Sequence, residues 1–432
     1  MKRRLFHLIA LSICSFTLVA GAADWPQWRG PDRDDVSKET GLLKTWPDGG
    51  PKPLWTFRAA GAGYSGPAIV GALLYSMGAE NKAEYLYALD TKTLKKAWSA
   101  EIGPVFTDGH GDGPRGTPTV DGDFVYGLGA QGELICVDTA GGGVVWRKNL
   151  KTDLGGEMWS EWGYSESPLV DGDLVICTPG GKNGTLAALD KKTGEVRWRS
   201  KDWTDKAAYS SVVAADVGGV RQYVQMTGES VAGVAADDGR LLWRFRRSSP
   251  TAPVPTPIVS GDRVYVSSGY GAGCALLQLA ARGDDVSCTA LHKNKNLVNH
   301  HGGALLCGGC VYGYDDNKGL VCQDFQTTDV LWAQKDVDAL WDKEHDRGVC
   351  GKMSLTCADG QLYCYGEDAG TVLLIEATPK GLNVNGRFTI PEHTKLKRKS
   401  GKIWTHPVVA DGKLYLRDQD LFFCYDVKDS GR

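Results

Sequence analysis

The chain of 432 residues carries 49 basic and 52 acidic side chains, and this balance excludes the strongly basic surface that nucleic-acid binding requires. Few stretches place apolar residues at the 3.6-residue spacing of a helix. Instead, short Val, Leu and Tyr runs alternate with clusters rich in Gly and Asp, and the chain contains 56 glycines. This pattern predicts an all-β protein.

The N-terminal residues 1–23 have the pattern of a cleaved signal peptide. Three basic residues precede an apolar run from Leu8 to Ala20, which ends in the small residues VAGAA. The run is shorter than the ~20 apolar residues that span a bilayer. The sequence therefore predicts a periplasmic or secreted protein without a transmembrane segment in the mature chain, exported by the general secretory or the twin-arginine route.

Residues 24–50 are predicted to form an extended segment, and residues 51–432 carry eight repeats of about fifty residues. Each repeat begins with a hairpin in which an apolar run, a Gly-containing turn and a second apolar run follow one another, as in SPLVDGDLVI. The Asp-Gly turn accepts the positive φ that a two-residue hairpin requires. The eight copies end at Tyr75, Tyr126, Ile176, Tyr223, Tyr265, Tyr312, Tyr363 and Tyr415.

A second hairpin follows each first one, and LAALDKKTGEVRW is its clearest copy. The Asp and Gly make the turn, and the final Trp is expected to fill the space between neighbouring sheets. Leu291 and Phe388 are expected to stand in for this Trp in the fifth and seventh repeats. Each repeat thus predicts four antiparallel strands, the size of a propeller blade.

The last repeat has no Trp strand after DLFFCYDV, whereas a strand with Trp55, KPLWTFRAAG, precedes the first repeat. We expect this N-terminal strand to complete the eighth blade, since closure removes the exposed edges of an open array. The predicted fold is an all-β, eight-bladed β-propeller of four-stranded antiparallel blades.

The LDxxTGxxxW segments resemble the repeat of quinoprotein-like propellers, which are named after pyrroloquinoline quinone (PQQ). The resemblance covers the chain from Trp55 onward, and the head segment DWPQWRGPDRDDVS resembles the N-terminus of exported PQQ-like proteins. Such propellers include PQQ-dependent alcohol dehydrogenases and cofactor-free, BamB-type proteins of outer-membrane assembly. The resemblance therefore implies the fold and leaves the activity open.

The dehydrogenase branch implies a quinone stacked between a Trp and adjacent cysteines, with Ca²⁺ held by Glu, Asn and Asp. This chain has no Cys-Cys pair, and the aligned loop TPGGKNGTLAALD has no Glu. No catalytic residue, cofactor or metal ligand is assigned on this basis. PQQ with Ca²⁺ remains the cofactor of an alternative function, the oxidation of an alcohol or sugar.

The loops that enter each first strand are expected to surround the mouth of the central channel, together with the loops that join second and third strands. Aromatic walls with a few polar groups are typical of ligand sites, although the same residues could simply fill the channel. The predicted ligand-binding face comprises Tyr64, Arg115, Trp159, Trp162, Tyr164, Glu166, Tyr209, His300, His301, Lys352, Trp404, His406, Arg417 and Asp418.

Some of these residues have alternative interpretations. Arg115 is expected to pair with either an anionic ligand or Glu166. His300, His301 and His406 have no acidic or thiol ligand at fixed spacing, so they predict no metal site.

Eleven cysteines follow the predicted signal peptide, so at least one of them is unpaired. Several lie inside apolar strand runs, where a thiol behaves as a small hydrophobic group. The Cys-Gly-Gly-Cys motif occupies a hairpin turn on the face opposite the histidines. There Cys307 and Cys310 form either a cross-strand disulfide or two free thiols.

Two functions remain from the sequence. The first is a non-catalytic binding or scaffold protein that holds a protein, peptide or carbohydrate at the channel-mouth face. The second is a PQQ-dependent dehydrogenase. The missing Cys-Cys pair and calcium ligands favour the first, and the sequence names neither the ligand nor the oligomeric state.

Overall fold

The structure, a computed structural model, describes residues 24–249 and 251–431, and the predicted signal peptide lies outside them. The helices in these residues are two 3-10 turns, Gln334–Asp336 and Asp338–Leu340. In the described part of the chain no helix is long and apolar enough to span a membrane.

The strands build eight blades, and all eight are antiparallel four-stranded sheets apart from one added inner strand in blade 7. Strands β1 (Val36–Ser37) and β2 (Lys52–Phe57) precede blade 1. Blade 1 consists of β3 (Ala68–Val70), β4 (Leu73–Glu80), β5 (Ala83–Asp90) and β6 (Lys95–Pro104). Blade 2 consists of β7 (Thr119–Asp121), β8 (Phe124–Leu128), β9 (Glu133–Asp138) and β10 (Val144–Asn149). Blade 3 consists of β11 (Leu169–Asp171), β12 (Leu174–Cys177), β13 (Ala187–Asp190) and β14 (Val196–Arg199). Blade 4 consists of β15 (Val213–Val217), β16 (Val220–Met226), β17 (Ser230–Ala235) and β18 (Leu241–Arg246).

Blades 5 to 8 follow the same order. Blade 5 consists of β19 (Ile258–Ser260), β20 (Arg263–Ser268), β21 (Gly273–Arg282) and β22 (Asp285–Asn294). Blade 6 consists of β23 (Ala304–Cys307), β24 (Cys310–Asp315), β25 (Gly319–Asp324) and β26 (Val330–Ala333). A small hairpin of β27 (Trp341–Asp342) and β28 (Arg347–Gly348) precedes blade 7. Blade 7 consists of β29 (Met353–Ala358), β30 (Gln361–Gly366), β31 (Thr371–Glu376) and β32 (Val384–Thr389). The last three strands are β33 (Val408–Ala410), β34 (Lys413–Asp418) and β35 (Leu421–Asp426).

The N-terminal strand β2 completes blade 8, which confirms the predicted closure. The sheet order is β2-β35-β34-β33, and Trp55 pairs with Cys424 across the antiparallel β2 and β35. Each of the eight interfaces between neighbouring blades has its own hydrophobic cluster. The core is therefore a ring of inter-blade clusters, and β2 closes that ring.

The segment before β2 runs through the central channel. Trp25 forms a β-bridge with Ile69 of blade 1, and the guanidinium of Arg33 donates to two backbone carbonyls before blade 3. Strand β1 then pairs in parallel with β29, the first strand of blade 7. The carboxylate of Glu39 accepts a hydrogen bond from a backbone N–H in the turn between β33 and β34, on the face of the ring opposite the entry loops. Residues 24–37, which we call the channel segment, thus fill the middle of the ring.

In blades 1, 2 and 3 the repeated Trp packs on the turn of the next blade. The indole N–H of Trp146 donates to the carbonyl of Lys191 at 3.0 Å, and a Cβ at Gly194 would lie 2.7 Å from this indole. Gly194 also has a φ of +71°, which favours glycine. Trp98 and Trp198 make the same two contacts with their next blades. The turn Gly and the Trp therefore recur in the repeat because they contact each other across neighbouring blades.

Blade 7 fills its Trp position from elsewhere in the chain, so the expectation for Phe388 is wrong. Gly386 follows the strand bulge at this position, and a Cβ there would lie 2.6 Å from the Cβ of Trp46. The Trp46 ring lies 5.9 Å from Tyr363, and the Phe388 ring packs against it at 5.3 Å. The N-terminal segment thus supplies the indole that blade 7 lacks.

In blade 5 the expectation for Leu291 is also wrong. His292 pairs with Leu276 at the position that corresponds to the Trp of other blades. Leu291 lies in the bulge beside it and is 41% exposed. A bulge residue is left unpaired in the strand ladder, and the repeat pattern alone does not reveal which residue bulges.

The eleven cysteines of the described residues are all free thiols. Cys136, Cys322 and Cys424 each lie between a Tyr and a Trp of the same blade, where blade 1 has Ala88. They act as small buried residues in this row, as the sequence indicates. Cys307 and Cys310 pair across their hairpin without a bond between them.

Candidate functional site at the channel mouth

A cavity of about 320 Å³ opens at the face where the chain enters each first strand. Its walls come from the entry loops, and its floor comes from the N-terminal segment inside the channel. The predicted site residues that line this cavity are Tyr64, Arg115, Trp162, Tyr209, His300, His301, Trp404 and His406.

Trp28 and Arg29 form the floor. The indole N–H of Trp28 donates to the hydroxyl of Thr256 at 3.1 Å, and its ring lies 4.5 Å from the imidazole of His406. The Nε of Arg29 lies 2.8 Å from a carboxylate oxygen of Asp35, and its Nη2 donates to a carbonyl of blade 6 at 2.6 Å. The channel is therefore closed beneath the cavity, which opens to one face of the ring only.

Eight equivalent positions surround the floor, one in each blade. Each lies two residues before a residue of the innermost strand that pairs with the second strand of the same blade. The N–H of Thr117 donates to the hydroxyl of Ser167 at 2.8 Å, and the N–H of Ser167 donates to the hydroxyl of Ser211 at 3.0 Å. Only His406 has a large side chain among the eight, so the space above Trp28 stays open. The eight are Gly66, Thr117, Ser167, Ser211, Thr256, Gly303, Ser354 and His406.

Aromatic rings follow one another around the wall and form what we call the aromatic belt. Consecutive ring centroids lie between 4.5 and 5.9 Å apart, which is the range of favourable aromatic contacts. The belt packs its members against each other and leaves ring faces and edges toward the cavity. In order it contains Tyr270, His300, His301, Trp404, His110, Trp162 and Tyr209, with Tyr64 against Trp404.

Arg115 pairs with Asp108 of its own loop, and the expected alternative of a pair with Glu166 is wrong. The Arg115 Nη2 lies 3.0 Å from Asp108 Oδ2, and the guanidinium lies 4.5 Å from the centre of the Phe106 ring. Asp108 also accepts the backbone N–H of His110 at 2.7 Å. Burial lowers the pKa of Arg115, and the charge of Asp108 opposes this effect. The pair therefore holds this loop in shape.

Glu166 and Tyr164 point into blade 3 and do not line the cavity. The Glu166 carboxylate accepts hydrogen bonds from the backbone N–H and the hydroxyl of Thr178, the second at 2.6 Å. The Tyr164 hydroxyl donates to the carbonyl of Pro179 at 3.0 Å. Burial raises the pKa of Glu166 to about 7, although Thr178 and the charge of Arg33 lower it. Both residues lie in the loop that enters blade 3, as predicted, but neither side chain reaches the channel mouth.

The adjacent histidines have separate partners. His300 Nε2 lies 2.9 Å from the Tyr270 hydroxyl, and its Nδ1 contacts the ammonium of Lys352, which pairs with Asp316 at 2.6 Å. Burial lowers the pKa of His300 to about 4, with further lowering by the charges of Lys352 and His301. His300 is therefore neutral at pH 7, and Lys352 supports it from outside the cavity lining.

His301 and Trp404 share one carboxylate. Glu367 Oε2 lies 2.8 Å from His301 Nε2 and accepts the indole N–H of Trp404 at 2.9 Å. Burial raises the pKa of Glu367, but the contacts with His301 and Trp404 outweigh it and lower the pKa to about 2. The carboxylate fixes the orientation of two rings of the aromatic belt.

Arg417, Asp418 and Trp159 lie outside the cavity lining. Arg417 is fully buried and donates to several backbone carbonyls at the junction of blades 8 and 1. Asp418 pairs with Arg398 at 2.8 Å. The Trp159 ring packs on Gly228, where a Cβ would lie 2.8 Å from it. These three residues stabilise the loops behind the cavity.

Sequence reasoning assigned no site role to Trp28, Arg29, Asp108, His110 or Tyr270, all of which line the cavity. The first two lie in the extended N-terminal segment, and a segment without a blade of its own had to lie on or in the ring. Asp108 lies seven residues before Arg115, immediately ahead of the stretch GHGDGPRGTP. That neighbour was the available signal for an ion pair within the loop.

The cavity does not fit PQQ with Ca²⁺. The quinone carries three carboxylates, and both arginines of the lining are already paired, with Asp35 and Asp108. A hard cation such as Ca²⁺ needs several oxygen ligands in one place. Among residues 24–249 and 251–431, no three or more His, Cys, Asp and Glu side chains are grouped so as to hold a metal ion.

The eight four-stranded blades around a filled channel form a PQQ-like β-propeller with a cavity at its mouth. A family model described as outer membrane protein assembly factor BamB matches residues 103–334, more than half of the chain. The chain belongs to this BamB-type family.

Relatives in the family are similar to the chain at low identity. BamB of Yersinia pestis is 24% identical over 322 residues, which cover 70% of this chain and 76% of the relative. BamB of Shewanella oneidensis is 23% identical over 362 residues, which cover 74% and 86%. The match with BamB of Moranella endobia, 24% identical over 170 residues, covers 38% of this chain and 37% of that relative.

Solved structures with the same fold include a BamB and an alcohol dehydrogenase. BamB from Moraxella catarrhalis has a TM-score of 0.59 at 14% identity, over 87% of this chain and 99% of that chain. Quinohemoprotein alcohol dehydrogenase from Comamonas testosteroni has a TM-score of 0.61 at 12% identity, over 95% and 81%. These likenesses concern the fold alone, because one fold can support unrelated functions.

Proposed function

We propose that this protein is an exported, non-catalytic binding propeller that holds an uncharged, ring-bearing segment of a partner protein in the channel-mouth cavity. One observation carries the proposal. The cavity has a continuous aromatic belt, and every charged side chain of its lining is already paired within the protein.

The paired charges limit the ligand. Arg29 pairs with Asp35 and Arg115 pairs with Asp108, while His300 is neutral at pH 7 because burial lowers its pKa to about 4. A ligand carboxylate or ammonium would lose its hydration without gaining a free counter-charge, at a cost of several kcal/mol. The cavity therefore favours an uncharged group.

Neutral hydrogen-bonding groups remain available to such a ligand. The Nδ1 atom of His301 is buried and makes no hydrogen bond among the described residues, whereas Nδ1 of His406 lies 3.5 Å from Oδ2 of Asp35. Ser167 and Ser211 each accept one backbone N–H and retain a hydroxyl proton. Together with the aromatic belt, these groups suit the amide groups of a peptide and the ring of a proline or aromatic side chain.

Family membership supports a protein as the partner, and the filled channel limits how that partner binds. The relatives carry the name outer membrane protein assembly factor, so a partner in the cell envelope agrees with family membership and with the predicted signal peptide. The channel is filled by residues 24–37, so a chain cannot thread through it. A cavity of about 320 Å³ therefore receives a side chain or a tight turn of the partner.

Titration of the purified protein with short uncharged peptides, each with one proline or aromatic residue, tests this function. We expect a saturable interaction that Trp162→Ala weakens about tenfold or more, because the variant removes one ring of the belt. Trp159→Ala is the matched control. It alters a Trp of the same loop whose ring packs on Gly228, outside the cavity, and it should leave the affinity unchanged.

Neutral oligosaccharides and PQQ with CaCl₂ are titrated in parallel. Binding of oligosaccharides alone would replace the protein partner by a carbohydrate. PQQ binding followed by dye reduction with an alcohol would overturn the non-catalytic function. If none of the three probes binds, the cavity is not the site.

A further inference from the structure

We infer that Cys307 and Cys357 are a dithiol that closes to a disulfide bond and ties blade 6 to blade 7. Cys307 ends β23 and Cys357 lies in β29, so the two residues belong to the first strands of adjacent blades. Their Sγ atoms lie 2.8 Å apart. This inference is independent of the function proposed for the cavity.

The two sulfurs are already close to bonding distance. A disulfide bond has an S–S length of about 2.05 Å, so less than about 1 Å of approach is needed. Cys310, the residue opposite Cys307 in the hairpin, interacts instead with Cys322 of the neighbouring strand. The cross-blade pair is therefore favoured over the cross-strand pair that the sequence leaves open.

The surroundings hold Cys357 in place and leave Cys307 accessible. Cys357 is 1% exposed, and its backbone N–H donates to the carbonyl of Asp35 in the channel segment at 2.8 Å. Cys307 is half-buried beside the exposed turn of Gly308 and Gly309. Both glycines have positive φ, +58° and +79°, as a two-residue hairpin turn requires. A thiol oxidant therefore reaches Cys307 first.

The contact between the thiols also makes Cys307 the nucleophile. The hydrogen bond from Cys357 lowers the pKa of Cys307, although burial raises it. The same hydrogen bond and burial raise the pKa of Cys357. A thiolate therefore forms more readily on the accessible sulfur, and thiolates are the reactive form in disulfide exchange.

The oxidant is another disulfide, for which oxidised glutathione serves as the probe. The Cys307 thiolate attacks one glutathione sulfur, forms a mixed disulfide and releases one glutathione thiolate. Cys357 loses its proton and attacks the Cys307 sulfur, which forms the Cys307–Cys357 bond and releases the second glutathione thiolate. The two protein thiols lose two electrons and two protons; the glutathione disulfide accepts the electrons as its S–S bond breaks, and the two released thiolates take up the protons.

Closure of this bond would join two blades of the ring covalently. Strand β23 follows directly from the loop with His300 and His301, so the tie also anchors one wall of the cavity. A cross-link over a loop of this length restricts the unfolded chain. We expect the oxidised protein to melt about 3 °C higher than the reduced protein.

Thiol counting tests the pair directly. The purified protein is incubated with oxidised glutathione or with a reductant, then denatured, alkylated and digested without reduction. We expect the oxidised sample to have two fewer alkylated thiols and to yield one linked peptide pair that contains Cys307 and Cys357. Complete alkylation, or a bond between Cys307 and Cys310, overturns the inference.

Variants connect the bond to the change in stability. Cys307→Ser and Cys357→Ser should each abolish the linked peptides and the difference in melting temperature between oxidised and reduced samples. Cys288→Ser alters another half-buried thiol, in blade 5, and should retain both. Loss of the difference in the Cys288 variant as well would contradict the assignment to this pair.

Discussion

The Nε of Arg29 lies 2.8 Å from Oδ2 of Asp35, and both side chains are buried in the central channel. This ion pair joins two positions six residues apart within residues 24–37, where Arg29, Arg33 and Asp35 all have positive φ. Nη1 of Arg29 donates to the backbone carbonyl of Thr256, and Nη2 donates to the carbonyls of Asp34 and Ala304. The pair therefore fixes both the floor of the cavity and the path of the N-terminal segment.

Arg29→Met should destabilise the protein strongly. The variant leaves the Asp35 carboxylate buried without its counter-charge, which we expect to lower the free energy of unfolding by about 3–5 kcal/mol. Urea denaturation measures this change. Arg58→Met is the control, because the Arg58–Glu392 pair is 61% and 37% exposed and should contribute nothing measurable. Equal stabilities of the two variants would contradict a structural role for the buried pair.

The glycine of the repeat turn can be tested by comparing two alanine variants. Gly194→Ala introduces a Cβ at 2.7 Å from the Trp146 indole and strains a φ of +71°. Gly122→Ala strains a φ of +57° in a place with no atom within 4 Å of the new Cβ. We expect a loss of about 1 kcal/mol for Gly122→Ala and clearly more for Gly194→Ala, measured by urea denaturation. Equal losses would mean that only the backbone conformation matters.

Trp46→Ala should cost about 3–5 kcal/mol of unfolding free energy, since it removes the indole that fills the Trp position of blade 7. Thermal or urea denaturation measures the loss. Leu54→Ala is the comparison within the same N-terminal region, and it should have little effect because Leu54 is 39% exposed. A small effect of Trp46→Ala would show that blade 7 does not depend on this indole.

Glu166 predicts a pH dependence of stability. Its pKa rises from 4.5 to about 7 on folding because of burial, so between these values the folded protein keeps a proton that the unfolded chain releases. The contribution of Glu166 to the unfolding free energy is therefore complete below pH 4.5 and falls as the pH rises toward 7, by up to about 3 kcal/mol. Glu166→Gln cannot titrate, so its stability should decline less than that of the wild type between pH 5 and 7.

Urea denaturation at several pH values between 5 and 8 measures this difference. Glu161→Gln, at an exposed position of the same loop, should follow the wild-type pH dependence. Parallel curves for the wild type and Glu166→Gln would show that Glu166 does not retain its proton in the folded protein.

Much of the fold follows from local patterns in the sequence. Turn glycines, alternating apolar residues and the repeated Trp predict eight four-stranded blades, and the unassigned strand with Trp55 predicts how the ring closes. The entry loops also point to the cavity, since Trp162, His301 and Trp404 lie on loops of one face. These features depend on hydrogen-bond registers and turn conformations, which neighbouring residues largely determine.

The sequence by itself determined the blades, their order and the closing strand, because each repeat carries the same local signals. Only the tertiary structure decided where the non-repeating residues lie. The channel segment with Trp28 and Arg29, the use of Trp46 in blade 7, the Arg115–Asp108 pair and the contact of Cys307 with Cys357 all depend on which surfaces meet after the ring has closed. These contacts depend on the three-dimensional packing of distant segments, and no periodic pattern in the sequence predicts them.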